Sequence, residues 1–237
     1  MKIETVALDD QKISLLDIYQ SNTDEKLPGL VIIGGGSYNP IRERDSERVA
    51  VTFATQAFQT FVVKYPVGEN RSYEGAKQAI AAAFNYVTAH ADELQVDVDK
   101  LGIIGFSAGG QLAAAYANDH ETLANYAILG YPVIKPTLDE RMGVKTEDIV
   151  TLVSSTTPPT FIFGAVQDEL TPFTEHILPY TNALADHHVP FELHEFASGN
   201  HGMGLGNKYT GVVNGDRVDE HFSKWFELAI DWLKQII

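Results

Sequence analysis

Six short apolar runs rich in Val, Ile and Phe recur along the chain, and their spacing restricts the fold more than any other feature. They are GLVIIG (29–34), TFVVKY (60–65), LGIIGF (101–106), YAILGY (126–131), TFIFGA (160–165) and PFELHEF (190–196). Runs of this length without polar alternation fit strands covered on both faces. Helical patterns separate them: ERVAVTFATQAF near Arg48, SYEGAKQAIAAAFNYVTAHA behind a Ser72 cap, QLAAAYAND, and FTEHILPYTNALADH. A last pattern places Phe222, Trp225, Phe226, Ala229, Trp232, Leu233 and Ile236 on one helical face. Strands alternating with helices predict the α/β class, with a mostly parallel central sheet and helices on both sides. KIETVALD and KISLLDIYQ read as an antiparallel pair at its edge. No repeat, low-complexity tract or linker divides the chain, so 1–237 reads as a single domain. The irregular stretch 133–159 is expected to form a small cap over the carboxyl ends of the strands.

Charge removes several classes of function. The 32 acidic against 17 basic residues give a formal charge of −15 at pH 7, which repels phosphate backbones and anionic lipid surfaces. Neither nucleic acid nor a membrane is therefore expected as a partner. No apolar run approaches about 18 residues, and MKIETVALDD lacks the basic and apolar regions of a leader, so a cytoplasmic protein is expected. A processed secreted form stays open. Cysteine is absent, which excludes disulfides, thiolate nucleophiles and Cys-ligated zinc. Self-association through exposed helices is allowed, and the sequence does not single out a surface for it.

Gly105-Phe106-Ser107-Ala108-Gly109 fits G-x-S-x-G between a strand and a helix. Such a turn holds a serine in a strained conformation with its hydroxyl projecting from the sheet, and the flanking glycines avoid clashes. A serine hydroxyl needs a base to become nucleophilic. Downstream, Asp168 follows a strand in FIFGAVQDELTP and His201 lies in the glycine-rich FASGNHGMG, the order Ser, acid, His. Parallel strands would bring all three to one edge of the sheet. Glu169 is the alternative acid. The triple glycine Gly34-Gly35-Gly36 after GLVII supplies close backbone approach, so Gly35 and Gly36, with the amide of Ala108, are the candidate oxyanion donors. No Lys-Ser/Thr or G-x-G-x-x-G follows to suggest phosphate binding. Tyr38, Tyr131 and Leu170 follow the glycine loop, a strand and the acid, and are candidate substrate-pocket residues, with strand-end packing as the alternative. His187, His188 and His194 with Asp186 and Glu192 could suggest a metal, but their helix-end and strand positions favour solvated or packed histidines.

With these residues in hand, the chain resembles the α/β-hydrolase esterases, and within them the bacterial acetyl-esterase branch akin to hormone-sensitive lipases, which includes carbohydrate and xylan deacetylases. The blocks that carry the likeness are IIGGGSY with RDSERVA, VVKYPV, VDVDKLGIIGFSAGGQLAA, ILGYPVI, TPPTFIFGAVQDELTP and FELHEFASGNHGMGLG. The resemblance implies an α/β-hydrolase fold, Ser107 as nucleophile, Asp168 as acid, His201 as base, and the glycine loop with Ala108 as oxyanion hole. It implies a small-molecule ester, acetyl above all, as substrate, and no cofactor. Hormone-sensitive-lipase relatives carry His-Gly-Gly-Gly, whereas this chain has Ile33 before its glycines, so the His that braces that loop is missing. A peptidase or thioesterase on the same scaffold, or a noncatalytic binding protein, stays open, because leaving-group preference resides in the pocket.

Overall fold

A computed structural model of the chain describes residues 1–210 and 217–237. The described strands are β1 (Lys2–Ala7), β2 (Leu15–Gln20), β3 (Leu27–Ile33), β4 (Gln59–Lys64), β5 (Val96–Phe106), β6 (Ala127–Gly130), β7 (Thr160–Ala165) and β8 (Phe191–Phe196). They form one sheet in the order β1-β2-β4-β3-β5-β6-β7-β8. β2 is antiparallel to both β1 and β4, and every other neighbouring pair is parallel. The N-terminal antiparallel pair therefore lies at one edge, as its sequence suggests.

The two-residue period of each buried strand divides its side chains between two cores. Leu30 and Ile32 of β3 pack in one core with Val49, Phe53 and Trp225. Val31 and Ile33 pack in the other with Ala76, Ile80 and Leu112. Helices α1 (Glu47–Ala54) and α6 (Trp225–Ile236) supply the first core, and α2 (Tyr73–Ala89), α3 (Ala108–Ala117) and α5 (Ile177–Asp186) the second. Every residue of α3 is buried. Seven of its ten residues are Gly or Ala, which lets it lie close against the sheet. Ser72 caps α2, its hydroxyl accepting the Gly75 amide at 3.1 Å.

Several boundaries differ from the sequence reading for local reasons. β8 carries exposed and half-buried residues rather than two buried faces, because it is the other edge of the sheet. β5 begins five residues before LGIIGF, where Leu27 and Pro28 of β3 pair with Val96 and Asp97. α5 starts only at Ile177, after turns closed by the His176 amide on the Pro172 carbonyl at 3.0 Å. Pro179 then falls in its first turn, where no amide donor is needed. In α6, Ile230 is buried and Ile236 is 37% exposed, so the last turn of the apolar stripe leaves the core. Residues 133–159 contain the short helix α4 (Asp139–Met142) and two single turns of 3₁₀ helix.

Parallel order brings the carboxyl ends of β3, β5, β6, β7 and β8 to one edge, where Gly34 to Gly36, Ser107, Tyr131, Asp168 and His201 follow.

Candidate active site

Ser107 stands between β5 and α3 with φ 56° and ψ −122°. A non-glycine residue there is strained, and its neighbours keep it in place. Its amide donates to the Gly130 carbonyl at 3.0 Å, and its own carbonyl accepts from Gln111 at 3.0 Å and Val133 at 3.1 Å. A β-carbon on Gly105 would overlap the carbonyl oxygen of Gly109 and lie 2.6 Å from the Ala113 methyl. One on Gly109 would overlap the Ile33 carbonyl oxygen and lie 2.7 Å from that of Gly34. The two glycines of the pentapeptide thus let α3 cross directly over β5 and the glycine loop.

His201 Nε2 lies 2.6 Å from Ser107 Oγ. On its other side, Nδ1 is 2.8 Å from Asp168 Oδ2. A carboxylate only accepts, so the proton belongs on Nδ1, which leaves the Nε2 lone pair facing the serine hydroxyl. The other Asp168 oxygen accepts the amides of Leu170 at 2.9 Å and Thr171 at 3.0 Å, and the Thr171 hydroxyl donates to Oδ2 at 2.9 Å. Burial works against ionisation of Asp168, yet the His201 contact and the Thr171 bonds outweigh it and hold the carboxyl below the usual range. Glu169, one residue on, is exposed and takes no part in this relay.

The glycine loop is braced without a histidine. The Tyr65 hydroxyl donates to the Gly34 carbonyl at 2.9 Å, and the Arg42 amide to that of Gly35 at 2.9 Å. A β-carbon at Gly35 would stand 3.2 Å from that of Ser107, and Gly36 has φ +146°. Gly36 and Ser107 line the same cleft. Ala108 is the first residue of α3, so its amide has no intrahelical acceptor. Gly35, Gly36 and Ala108 therefore all lie beside the serine.

Two of the three predicted pocket residues do not line the cleft. Leu170 does, but Tyr38 and Tyr131 are 0% and 1% exposed. Tyr38 packs in the α2 and α3 core with its ring edge-on to Tyr65. Tyr131 is a brace. Its hydroxyl donates to Asp45 Oδ1 at 3.1 Å and accepts the Gly204 amide at 2.9 Å, and its ring stands edge-on to His201 at 5.2 Å. Burial holds its hydroxyl protonated and pushes the fully buried Asp45 carboxyl up; Arg44, bonded to Asp45 at 2.9 Å and 3.1 Å, opposes the second shift. Trp225 Nε1 fixes the Gly204 carbonyl at 2.9 Å. Arg217 donates to the carbonyls of His201 and Gly202.

Asp45, Arg44, Thr171 and Arg217 thus position the histidine loop. Sequence reasoning did not single them out, although Asp45 lies in RDSERVA and Thr171 in DELTP. Tyr131→Phe is expected to destabilise the protein by about 1–3 kcal/mol, since it strands the buried Gly204 amide and leaves Asp45 Oδ1 with the Arg44 bond alone. It should also lower kcat more than it raises KM; an effect on KM alone would indicate a pocket residue.

His187, His188 and His194 lie apart, as solvated or packed side chains. His187 and His188 are exposed beyond α5, while His194 Nε2 contacts Glu192 at 2.7 Å on β8 with its ring against Phe161. Among the described residues no group of three or more His, Asp or Glu could hold a metal ion, and no helix is long and apolar enough to cross a membrane.

The BD-FAE family model matches residues 16–132. An acetylxylan esterase of Xylanibacter ruminicola is 26% identical over 223 residues, covering 84% of this chain and 45% of the relative. Endo-1,4-beta-xylanase B of Butyrivibrio fibrisolvens is 28% identical over 87% of this chain and 35% of its own length. The chain thus spans less than half of each of these curated relatives. Solved structures match along their whole length. A sugar hydrolase from Lactococcus lactis is 30% identical with TM-score 0.90, covering 99% of this chain and 98% of that one. A carboxylesterase from Lactobacillus plantarum is 26% identical at the same TM-score of 0.90 and the same coverage. With this sheet order and this serine turn, the chain belongs to the α/β-hydrolase family.

Proposed function

We propose that the chain hydrolyses short-chain carboxylic esters, acetyl esters above all, through an acyl-enzyme. One observation carries the reading: a strained serine whose hydroxyl is 2.6 Å from an imidazole that is itself 2.8 Å from a buried carboxylate. Ser107 Oγ attacks the ester carbonyl carbon while its proton passes to His201 Nε2. Asp168 keeps the imidazole in the required tautomer and stabilises its charged form. The carbonyl oxygen, now negative, lies against the amides of Ala108 and of Gly35 or Gly36, each such donor typically lowering the barrier by ~3 kcal/mol. His201 then returns the proton to the alcohol oxygen as the C–O bond breaks. A water molecule, deprotonated by His201, attacks the acyl carbonyl and releases the acid and Ser107. These steps use only protein groups and water.

The acetyl preference has two supports. Residues 133–159 form only short turns, a cap too small to wrap a long acyl chain, within what we take to be a single domain. The relative named as an acetylxylan esterase also aligns over most of this chain, which favours acetylated sugars as the alcohol side. The test is an acyl-chain series run beside acetylated xylo-oligosaccharides. 4-Nitrophenyl acetate should be cleaved about 10-fold or more faster than the octanoate in kcat/KM, since the acetyl group alone should fit without displacing the cap. The reverse order would overturn the acetyl assignment.

A further inference from the structure

Four of the chain's six arginines, Arg42, Arg44, Arg141 and Arg217, line one cleft of about 540 Å³ together with Ser107 and His201. This is a marked concentration of positive charge in a chain with net charge −15. Structural duties account for only two of the four. Arg44 is committed to buried Asp45, and Arg217 to the carbonyls of His201 and Gly202. The guanidinium groups of Arg42 and Arg141 are exposed and have neither a carboxylate partner nor a hydrogen bond among the described residues. They come from different elements, Arg42 from the segment after the glycine loop and Arg141 from α4, yet both reach the cleft.

The side of the site that Arg141 occupies follows from the chemistry, while Arg42 lines only the cleft at Ser107. His201 Nε2 must deliver its proton to the departing alcohol oxygen, so the alcohol portion lies on the histidine side of Ser107. There Arg141, Arg217, Leu170 and His201 line both this cleft and the adjoining depression of about 970 Å³. Glu169 lines that depression too, one carboxylate against two arginines. A neutral sugar could be held by Asn39 and Asn200 alone, and would give two unpaired guanidinium groups nothing to bind. A planar fork of five donors matches a carboxylate or a phosphate.

Resting on the ester-hydrolase reading, we propose that this groove binds an anionic group, a carboxylate or phosphate, on the alcohol portion of the ester, with Arg42 and Arg141 as the specificity-determining residues. The local positive field would also draw in such substrates against the repulsion of the surrounding acidic surface.

The test compares three acetates of similar shape: 3-acetoxybenzoate, its neutral counterpart 3-acetoxybenzamide, and 3-acetoxyphenyl phosphate, each rate divided by that with hydroxide alone. At about 20 mM salt the carboxylate or the phosphate should exceed the amide by about 10-fold or more in kcat/KM, and the advantage should shrink to about 3-fold near 500 mM. The larger of the two anionic rates assigns the groove to carboxylated or to phosphorylated alcohols. The variant carrying both Arg42→Gln and Arg141→Gln should lose the advantage, mainly through KM. Hydrolysis of all three at similar rates, or a preference untouched by salt and by both substitutions, overturns the proposal and leaves the esterase reading intact. No hydrolysis of any of them, with Ser107 unlabelled by a fluorophosphonate, overturns both.

Discussion

Ser107→Ala is expected to lower kcat on 4-nitrophenyl acetate by about 10⁵–10⁶-fold, the scale seen when the nucleophile of a serine triad is removed. The change deletes one oxygen and keeps the β-carbon, so packing and the bonds of the Ser107 amide and carbonyl to Gly130, Gln111 and Val133 survive. Stability should therefore stay within about 1 kcal/mol of the parent chain, because the positive φ is equally strained for alanine. Circular dichroism and thermal melting establish the intact fold, and single-turnover assays exclude slow residual acylation. Asp168→Asn supplies a graded comparison, with a loss nearer 10⁴-fold in kcat expected, about that of a triad whose imidazole has the wrong tautomer. A Ser107→Ala protein retaining most of its turnover would mean that another group attacks the ester.

Along with Gly105→Ala, Gly109→Ala should have one of the two largest effects on folding of any single methyl group added to the serine turn. The new β-carbon would sit among the backbone atoms of Ile33 and Gly34, which cannot rotate away as a side chain can. Relief requires α3 to lift from the end of β3. A destabilisation of about 3 kcal/mol or more is expected, the upper range of overpacking, lowering the melting temperature by roughly 6–12 °C for a domain of this size. The folded fraction should also be impaired, because the same displacement parts the Ala108 amide from the glycine loop. Gly68→Ala is the control. It adds a methyl group where nothing lies within 4 Å, and its positive φ of 65°, which helical Gly109 does not share, adds only a conformational strain of about 1 kcal/mol. Equal effects from both substitutions would refute the close-approach argument.

The order of strands and helices was legible because buried strands leave continuous apolar runs, and here six of them are bounded by glycine, proline or polar residues. The positions of Ser107, Asp168 and His201 were legible for a related reason: parallel strands send the residues after them to one edge, and chain order names the candidates. Tyr131 shows where this reasoning stops. A tyrosine directly after a strand at the functional edge can point into the cleft or back into the fold. The choice depends on Asp45, 86 residues away in sequence, which gives the hydroxyl a buried acceptor. Local pattern carries no record of that partner. Arg42 and Arg141 were missed likewise, since each alone is an ordinary surface charge and only the folded chain brings them to one cleft. The exposed residues of β8 arise from strand order, which periodicity alone does not determine.

The relay joins residues separated by 94 positions from Ser107 to His201 and by 33 from His201 to Asp168, with the Tyr131 brace reaching back across 86 more to Asp45. Contacts so distant along the chain close late, after the loops between them have lost their freedom. Turnover is consequently a stricter gauge of complete folding than helix content, and a chain that has collapsed and regained most of its secondary structure will still be inert until its last strand docks.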